Sequence, residues 1–355
     1  MSFENIFNHK HQVKESANAR VNLIGEHTDY TGGYVMPTLL GFKNTIQLSK
    51  NNNNVFEVYS EYFDEKKIFD DLIKSQSNEW VDYVKGCLFV FFDNYKNIKL
   101  EHFNIYISST IPMERGISSS SALCVSTLKA INSYFNTQIS EKQIAILAKK
   151  VEHDYIGVSG GIMDQMISSI GIYGKAFFLD CLSLEFELID FPKDWKFCLV
   201  DSEVQRNLRS SSYNERFEDL KIAEKELNVE NLGRVKVNDY LPSKFTNPIV
   251  GKRAKHVIFE NYRVLKAKEY ILNNNIIEFG NLMNESHLSY SFDFEASTKD
   301  VDNIVKNSID CGALGSRLTG GGFGGFTVSL IKRDQFSNWY NKINQIYPSE
   351  KIFEV

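Results

Sequence analysis

The stretch RVNLIGEHTDY, from Arg20 to Tyr30, joins an apolar, strand-like segment directly to three ionisable side chains. Glu26, His27 and Asp29 stand within four residues of one another where the strand pattern ends. Such a cluster can form a metal site, a polar turn or a pocket for a ligand rich in hydroxyl groups. A zinc site needs further ligands, as in His-Glu-x-x-His or paired Cys-x-x-Cys motifs, and the chain has neither. The pattern alone therefore favours a polar turn.

A second stretch, PMERGISSSSAL from Pro112 to Leu123, lies between a strand pattern that ends near Ser108 and a helix pattern that begins near Ser121. Small residues at a helix start expose backbone N–H groups at the positive end of the helix dipole, which suits a phosphate. A serine hydroxyl there can also ligate magnesium. A plain helix cap is the alternative, but four consecutive serines exceed what a cap needs. Phosphate binding is favoured, although the chain has no Walker A motif.

A third stretch, RLTGGGFGGF from Arg317 to Phe326, precedes a strand pattern over Thr327 to Ile331. Gly320, Gly322 and Gly325 match G-x-G-x-x-G literally, but a dinucleotide-binding loop follows a strand and opens a helix. We therefore discount the match. So many glycines let the backbone approach either a ligand or another loop closely, and the pattern does not decide between these two interpretations.

A fourth stretch, GVSGGIMDQM, places Asp164 in the first turn of a short predicted helix, where a carboxylate is favourable beside the helix dipole. Glu152 lies near the end of another predicted helix, which begins with a capping box formed by Ser140 and Gln143. Either acidic residue alone could be a solvated surface charge.

The bulk properties limit the class of protein. A chain of 355 residues predicts two domains or one large α/β unit, and the Phe191 to Lys193 segment is the most plausible joint, giving domains 1–192 and 193–355. A net charge of -5 argues against nucleic-acid binding. No apolar run is long enough to span a bilayer, so we expect no membrane partner. The run Asn51 to Asn54 is expected to form a polar hairpin turn.

The five cysteines are scattered and odd in number, which predicts reduced thiols and a cytoplasmic location.

Taken together, the four stretches resemble the galactokinases of the GHMP small-molecule kinase family. RVNLIGEHTDY with the following TGGYVMP looks like the sugar signature of that family, and it is the most specific match. GISSSSAL resembles the ATP loop, GGIMDQ the catalytic-aspartate segment and RLTGGGFGG the third motif. NLRSSSYNERF and AKHVIFENYRVL also look like galactokinase segments, so the likeness runs from about residue 17 to about residue 331.

The resemblance implies a two-domain α+β GHMP kinase fold with the active site in the cleft between the domains. It implies ATP-dependent phosphorylation of the anomeric C1 hydroxyl of D-galactose, with Mg2+. By matching positions, Asp164 would face the C1 hydroxyl and Arg20 would stabilise the transferred phosphoryl group. The sugar would be bound by Glu26, His27, Asp29, Gly161 and Tyr213. ATP would be held by Gly116, Ser118, Ser119 and Ser120, and magnesium by Glu152 with Ser119 or Ser120.

The sequence departs from the family pattern at two places. Ala17, Asn18 and Ala19 stand where the family usually has Ala-Pro-Gly before the signature arginine. In the ATP loop, Glu114 and Arg115 precede Gly116, where the family usually carries further glycines. An acidic residue near a triphosphate is unfavourable unless it points away or pairs with Arg115. This second departure bears on nucleotide affinity or nucleotide choice.

Two alternatives to galactose phosphorylation stay open. One is a sister sugar 1-kinase that acts on galacturonate, N-acetylgalactosamine or L-arabinose, since these sugars share the axial C4 arrangement or its equivalent. The other is a non-catalytic sensor of sugar and ATP, although such a protein could have lost Arg20, Asp164 or Glu152, and all three are present. The expected partner is a small-molecule sugar, and the chain is expected to act as a monomer.

Overall fold

The structure is a computed structural model that describes residues 1–74, 79–112, 115–204 and 211–355. The strands are β1 Val13–Asn22, β2 Tyr34–Val35, β3 Pro37–Asn51, β4 Phe56–Ser60, β5 Glu65–Phe69, β6 His102–Ser109, β7 Lys175–Asp180, β8 Phe186–Asp190, β9 Trp195–Asp201, β10 Gly315–Leu318, β11 Phe326–Lys332 and β12 Ile352–Glu354. The helices are α1 Phe3–Phe7, α2 Val81–Asn94, α3 Ser119–Phe135, α4 Glu141–Lys150, α5 Met163–Ile170, α6 Ser211–Leu227, α7 Pro248–Leu272, α8 Ile276–Phe292, α9 Lys299–Asp310 and α10 Phe336–Ile343.

The chain divides into two compact units that alternate along the sequence. Unit 1 comprises Met1–Arg20, Leu40–Pro112 and Ser118–Gly171, and unit 2 comprises Val21–Leu39, Met113–Ile117 and Ile172–Val355. The boundary predicted between residues 192 and 193 lies inside unit 2, so it describes a different division of the chain and stays a prediction.

Unit 1 contains a sheet in the order β3-β6-β4-β5, with β1 beside β3. Strand β6 pairs antiparallel with β3 and parallel with β4. The alternation of Phe103, Ile105 and Ile107 predicted a strand here, and β6 confirms it. The helices of this unit bury continuous apolar stripes, such as Leu128 and Ile131 of α3.

Two local predictions in unit 1 have opposite outcomes. The N-cap half of the capping box is confirmed, because Ser140 Oγ accepts a hydrogen bond of 3.2 Å from the backbone N–H of Gln143. The hairpin turn at Asn51 to Asn54 is wrong. The segment does turn, with Asn51 Oδ1 accepting from the N–H of Asn53, but it connects β3 to β4, and β6 lies between these two strands. A hairpin would require β3 and β4 to pair directly.

Unit 2 contains strands β2, β7 and β8, which pair antiparallel in that order. It also contains a sheet in the order β10-β11-β9-β12, whose pairs are all antiparallel. The long helix α7 begins with Asn247, whose side chain accepts from the N–H of Ile249, and with Pro248 in its first turn. Buried positions of α7 include apolar residues such as Val257 and Val264 but also the charged Glu260 and Arg263.

Two expectations from composition can be compared with the structure. All five cysteines are buried and form no disulfide, as predicted for reduced thiols. Among the residues that the structure describes, no helix combines the length and the apolar character that a membrane span requires.

Candidate active site

Asp164 and Arg20 form a two-pronged ion pair in unit 1. Arg20 Nε donates to Asp164 Oδ1 over 2.8 Å, and Arg20 Nη2 donates to Asp164 Oδ2 over 2.9 Å. Helix α5 places Asp164 in its first turn, and β1 supplies Arg20. The hydroxyl of Ser168 in α5 donates to the carbonyl of Asn18 in β1, which fixes the helix beside the strand. The arginine side chain is 5% exposed and the aspartate side chain 26%, so Asp164 is only partly buried.

The serine loop lies beside this pair. Helix α3 begins at Ser119, two residues before the predicted start. Ser118 precedes the helix, and its hydroxyl donates to Asp164 Oδ2 over 2.5 Å. The carbonyl of Ser119 accepts from the side-chain amide of Asn44 in β3. Gly116, two residues before Ser118 in the chain, has a φ of 72°, a conformation that glycine adopts without strain.

Glu152 is a half-buried carboxylate in a π-helical turn over Val151–Ile156 that continues α4. Such turns are frequent at functional sites. Ser121 Oγ lies 3.2 and 3.0 Å from the two carboxylate oxygens of Glu152, and the side-chain amide of Gln165 also donates to Glu152. Burial raises the pKa of Glu152, and so does the negative charge of Asp164, while hydrogen bonds from Ser120, Ser121 and Gln165 lower it. A nearby cation would relieve this buried negative charge.

The oxygen donors around Glu152 are of the kind that binds magnesium. One carboxylate with serine hydroxyls offers hard oxygen ligands, which Mg2+ prefers. No group of three or more histidine, cysteine or acidic side chains suited to a metal occurs in the described parts of the chain. Mg2+ usually binds through one or two carboxylates and completes its shell with water and phosphate oxygens, so the residues present fit that ion.

The signature residue Glu26 belongs to unit 2 and is 2% exposed. Its Oε1 accepts from the N–H of Gly320 over 2.7 Å and from Arg317 Nη1 over 3.1 Å, and its Oε2 accepts from the side-chain amide of Asn22 over 2.8 Å. Thr319 adds a hydrogen bond from its hydroxyl to the carbonyl of Asn22. The glycine-rich third stretch therefore packs directly against the signature loop, an arrangement that the sequence left undecided.

His27 lies among aromatic rings. Its Nδ1 is 2.7 Å from the hydroxyl of Tyr30, and its Nε2 is 2.9 Å from the hydroxyl of Tyr290. The ring centroids of Phe294 and Tyr213 are 4.4 and 5.5 Å away. Its φ of 61° is uncommon for a residue other than glycine and turns the loop sharply at this point.

The other predicted sugar-binding residues occupy half-buried positions. In unit 2, Asp29 opens a short 3-10 turn over Asp29–Thr31, and Tyr213 lies in the first turn of α6. In unit 1, Gly161 lies three residues before Asp164 in the loop that leads to α5. Unit 1 therefore brings together Arg20, Asp164, Ser118, Ser120 and Glu152. Unit 2 brings together Glu26, His27 and Tyr213.

Arg115, one residue of the departure in the ATP loop, has an acidic partner elsewhere in the chain. Arg115 Nε lies 3.2 Å from Asp201 Oδ2, at the end of β9 in the same unit. Burial raises the pKa of Asp201, although the N–H of Glu203 and the charge of Arg115 lower it. Glu114 lies outside the described residues, so the two alternatives for it, pointing away or pairing with Arg115, both stay open.

The sequence did not identify the residues of α7 that hold the signature loop in unit 2. Glu260 Oε1 accepts from the N–H of Gly25 over 2.9 Å, and Asn261 Oδ1 accepts from the N–H of Tyr34 over 2.7 Å. The hydroxyl of Ser286 donates to Glu260 Oε1 over 2.6 Å, and Arg263 Nε donates to Glu260 Oε2 over 2.7 Å.

A signal for these anchors was present in AKHVIFENYRVL. Glu260 lies three residues after Val257 and four before Val264, which places a charge on the apolar face of the helix. A charged side chain on such a face requires a partner when the face is buried.

Three family models match the chain. The galactokinase galactose-binding signature matches residues 1–50, the N terminal domain of GHMP kinases matches residues 82–172, and the C terminal domain of GHMP kinases matches residues 267–349. A galactokinase from Clostridium acetobutylicum is 36% identical over 99% of this chain and 92% of its own length. A galactokinase from Pyrococcus furiosus is 36% identical over 89% of this chain and 88% of its own length.

Solved structures agree with these matches. The crystal structure of Lactococcus lactis galactokinase complexed with galactose has a TM-score of 0.92 and 29% identity, and the match covers 99% of this chain and 95% of that chain. Mevalonate kinase from Methanococcus jannaschii shares the fold, with a TM-score of 0.70 at 21% identity over 97% of this chain and 98% of its own. The α+β GHMP kinase fold that the sequence predicted is confirmed. The chain belongs to the galactokinases of the GHMP kinase family.

Proposed function

We propose that this chain transfers the γ-phosphoryl group of ATP to the anomeric C1 hydroxyl of D-galactose, giving α-D-galactose 1-phosphate and ADP. The observation that carries the proposal is the geometry of Asp164, a carboxylate held on both oxygens by Arg20 in a side chain that is still 26% exposed. Membership of the galactokinases supplies the substrate class, since the related Lactococcus lactis enzyme is described in complex with galactose.

Asp164 accepts or aligns the proton of the C1 hydroxyl, and Arg20 fixes the orientation of the carboxylate. The rigid guanidinium fork holds a carboxylate in one plane, which suits precise alignment of an attacking oxygen. Phosphoryl transfer depends mainly on positioning and on neutralising the charge of the transferred group. Arg20 also supplies positive charge for that purpose.

The nucleotide is bound at the start of α3. Gly116, Ser118, Ser119 and Ser120 present backbone N–H groups and hydroxyls at the positive end of a helix of 17 residues, which favours the phosphates. Glu152 would hold Mg2+ together with Ser119 or Ser120, the two serines predicted as ligands. When bound, this ion neutralises phosphate charge and orients the phosphate oxygens.

The sugar is recognised by the signature loop with Gly161 and Tyr213. Glu26 and His27 already make several hydrogen bonds within the protein, so we propose that they mainly fix the shape of the loop and offer the sugar only their remaining capacity. Asp29 and Tyr213 are less buried, and we propose that they meet the sugar hydroxyls directly. An epimer would leave such a group unpaired, at a cost of about 1 to 3 kcal/mol each.

Two further proposals concern the cellular location and the oligomeric state of the protein. A cytoplasmic location is supported by five buried cysteines that form no disulfide. We also propose that the chain acts as a monomer.

An assay of ADP release with magnesium and ATP over a panel of aldoses tests the function. The panel comprises galactose, glucose, N-acetylgalactosamine, galacturonate and L-arabinose. We expect the highest kcat/KM with galactose and a value at least about 30-fold lower with glucose, its C4 epimer. A higher kcat/KM with another member of the panel would transfer the assignment to a sister kinase. Sugar binding without ADP release from any member would instead identify a sensor.

A further inference from the structure

Ser118 has an unusual backbone conformation at the start of α3. Its φ of 66° and ψ of 42° lie in the left-handed region, which residues other than glycine seldom occupy. A serine before a helix usually accepts a hydrogen bond from the first turn, but the side chain of Ser118 makes no such cap. Capping therefore does not explain why a serine occupies this position.

The hydroxyl of Ser118 is directed at the carboxylate of Asp164. The distance of 2.5 Å from Ser118 Oγ to Asp164 Oδ2 is typical of a short hydrogen bond between a hydroxyl and a charged carboxylate. Ser118 is 8% exposed, so water competes weakly for this bond. Both residues belong to unit 1, and helix α3 and helix α5 supply them.

The two carboxylate oxygens of Asp164 accept different numbers of hydrogen bonds. Within the described residues, Oδ2 accepts from Ser118 and from Arg20 Nη2, whereas Oδ1 accepts from Arg20 Nε. Three donors therefore define the plane and the rotation of the carboxylate, and Oδ1 has more remaining acceptor capacity than Oδ2.

We propose that Ser118 is a positioning residue for the reaction: its hydroxyl locks the carboxylate of Asp164 so that Oδ1 faces the attacking C1 hydroxyl. The inference rests on the proposed function, because it assumes that Asp164 aligns that hydroxyl. The serine hydroxyl is thus engaged with Asp164, and Ser118 contributes to phosphate binding through its backbone N–H. Strained residues persist where the surrounding structure requires them, commonly at active sites, and the left-handed turn here directs the hydroxyl to Asp164.

Three variants separate the hydroxyl from the backbone conformation. Ser118→Gly removes the hydroxyl and relieves the left-handed strain, whereas Ser118→Ala removes the hydroxyl and keeps the strain. Asn136→Gly is the matched control, because Asn136 is exposed, has a φ of 50° and ends the same helix. The measurements are kcat, KM for galactose and for ATP, the melting temperature, and calorimetric binding of galactose and of a non-hydrolysable ATP analogue.

We expect both Ser118 variants to lower kcat by about 10- to 100-fold, the range for loss of a hydrogen bond to a charged group. KM values and calorimetric affinities should change by less than about threefold. Ser118→Gly should melt at or roughly 1 to 3 °C above the unmodified chain, and Ser118→Ala below it. Asn136→Gly should raise the melting temperature by about as much as Ser118→Gly does, and it should leave kcat unchanged.

A Ser118→Gly variant with unchanged kcat would overturn the proposal. A variant with a raised KM for ATP, weakened binding of the analogue and unchanged kcat would also overturn it, because the hydroxyl would then serve the phosphates. Failure of the proposed function would be seen separately, as an unmodified chain that releases no ADP with galactose, and it would remove this inference as well.

Discussion

Two carboxylates of this protein, Asp164 in unit 1 and Glu260 in unit 2, are both paired with arginine but differ in exposure. The side chain of Asp164 is 26% exposed and that of Glu260 is 0% exposed. Glu260 accepts from Arg263, from Ser286 and from the backbone of Gly25. The same pairing therefore serves two purposes: partial exposure leaves Asp164 available to a ligand, whereas complete burial makes Glu260 an anchor.

The electrostatics of Glu260 follow from that burial. Burial alone would raise the pKa of Glu260, but the positive charges of Arg263 and Arg317 outweigh it and hold the pKa well below its usual range. The glutamate is thus charged at neutral pH, and its negative charge is balanced inside the protein. A buried charge that loses its partner is strongly destabilising, so disruption of this site should affect folding first.

The largest expected effect comes from the exposed carboxylate. Asp164→Ala should lower kcat by at least about 1,000-fold, because it removes the group that aligns the attacking hydroxyl. Its melting temperature should fall less than that of a Glu260 variant, because the Asp164 side chain is 26% exposed, although Arg20 loses its counter-charge. Steady-state kinetics and thermal unfolding check both parts, with Asp93→Ala as the control, since Asp93 forms only an exposed pair with Lys96. An Asp164→Ala variant with full kcat would remove its assigned role.

The buried carboxylate should behave in the opposite way. Glu260→Gln should lower the free energy of unfolding by about 3 to 5 kcal/mol, because Arg263 then loses its buried counter-charge and Arg317 keeps Glu26 but loses Glu260. Urea denaturation measures this loss. Glu269→Gln, on the same helix, removes an exposed pair with Lys266 and should cost less than about 1 kcal/mol. Equal losses from the two variants would contradict the contrast in burial.

Lowering the pH should destabilise the same buried region, because His256 lies there and resists protonation in the folded chain. Burial lowers the pKa of His256 to about 3, with Glu260 and Asp293 raising it and Arg263 and Arg317 lowering it. The unfolded chain binds a proton near pH 6.5 and the folded chain only near pH 3, so stability is lost as the pH falls through this window.

For this group alone the loss between pH 8 and pH 5 is about 2 kcal/mol. Urea denaturation at both pH values, repeated on His256→Gln, measures it. The variant should lose about 2 kcal/mol less than the original chain over the same interval, and an identical pH dependence in both proteins would show that His256 is not responsible.

The smallest expected effect concerns the partly exposed pair of Arg115 and Asp201. Arg115→Gln should raise KM for ATP by about two- to fivefold, because the loop then loses its charged contact with Asp201. KM for galactose should not change. Asp201→Asn should give the same shift if the pair acts by holding the loop. A much larger effect of Arg115→Gln alone would indicate direct contact of Arg115 with the nucleotide.

The sequence predicted features that depend on neighbours in the chain. Periodicity identified α4 with its Ser140 cap, and the run of serines marked the start of α3 to within two residues. The turn at Asn51 to Asn54 was misassigned because β6, which is distant in sequence, lies between the two strands it connects. Local pattern cannot show such an insertion.

Local sequence pattern also could not show which residues come together in the candidate site. The motifs identified Asp164 and Arg20, but 144 positions separate them in the chain, and only the fold brings them together. Glu260 was overlooked because its partner groups, Gly25 and Ser286, come from two other segments of the chain. A charge on an apolar helix face signals that a partner exists without saying which residue it is.

Identification of the reaction product by nuclear magnetic resonance tests the central claim most directly. The chain is incubated with galactose, ATP and magnesium, and the phosphorus spectrum of the product is recorded with proton coupling. The account predicts one phosphomonoester coupled to the anomeric proton of the α configuration, formed by the unmodified chain and not at a measurable rate by Asp164→Ala. A phosphate on another carbon of the sugar, or equal product formation by the variant, would contradict it.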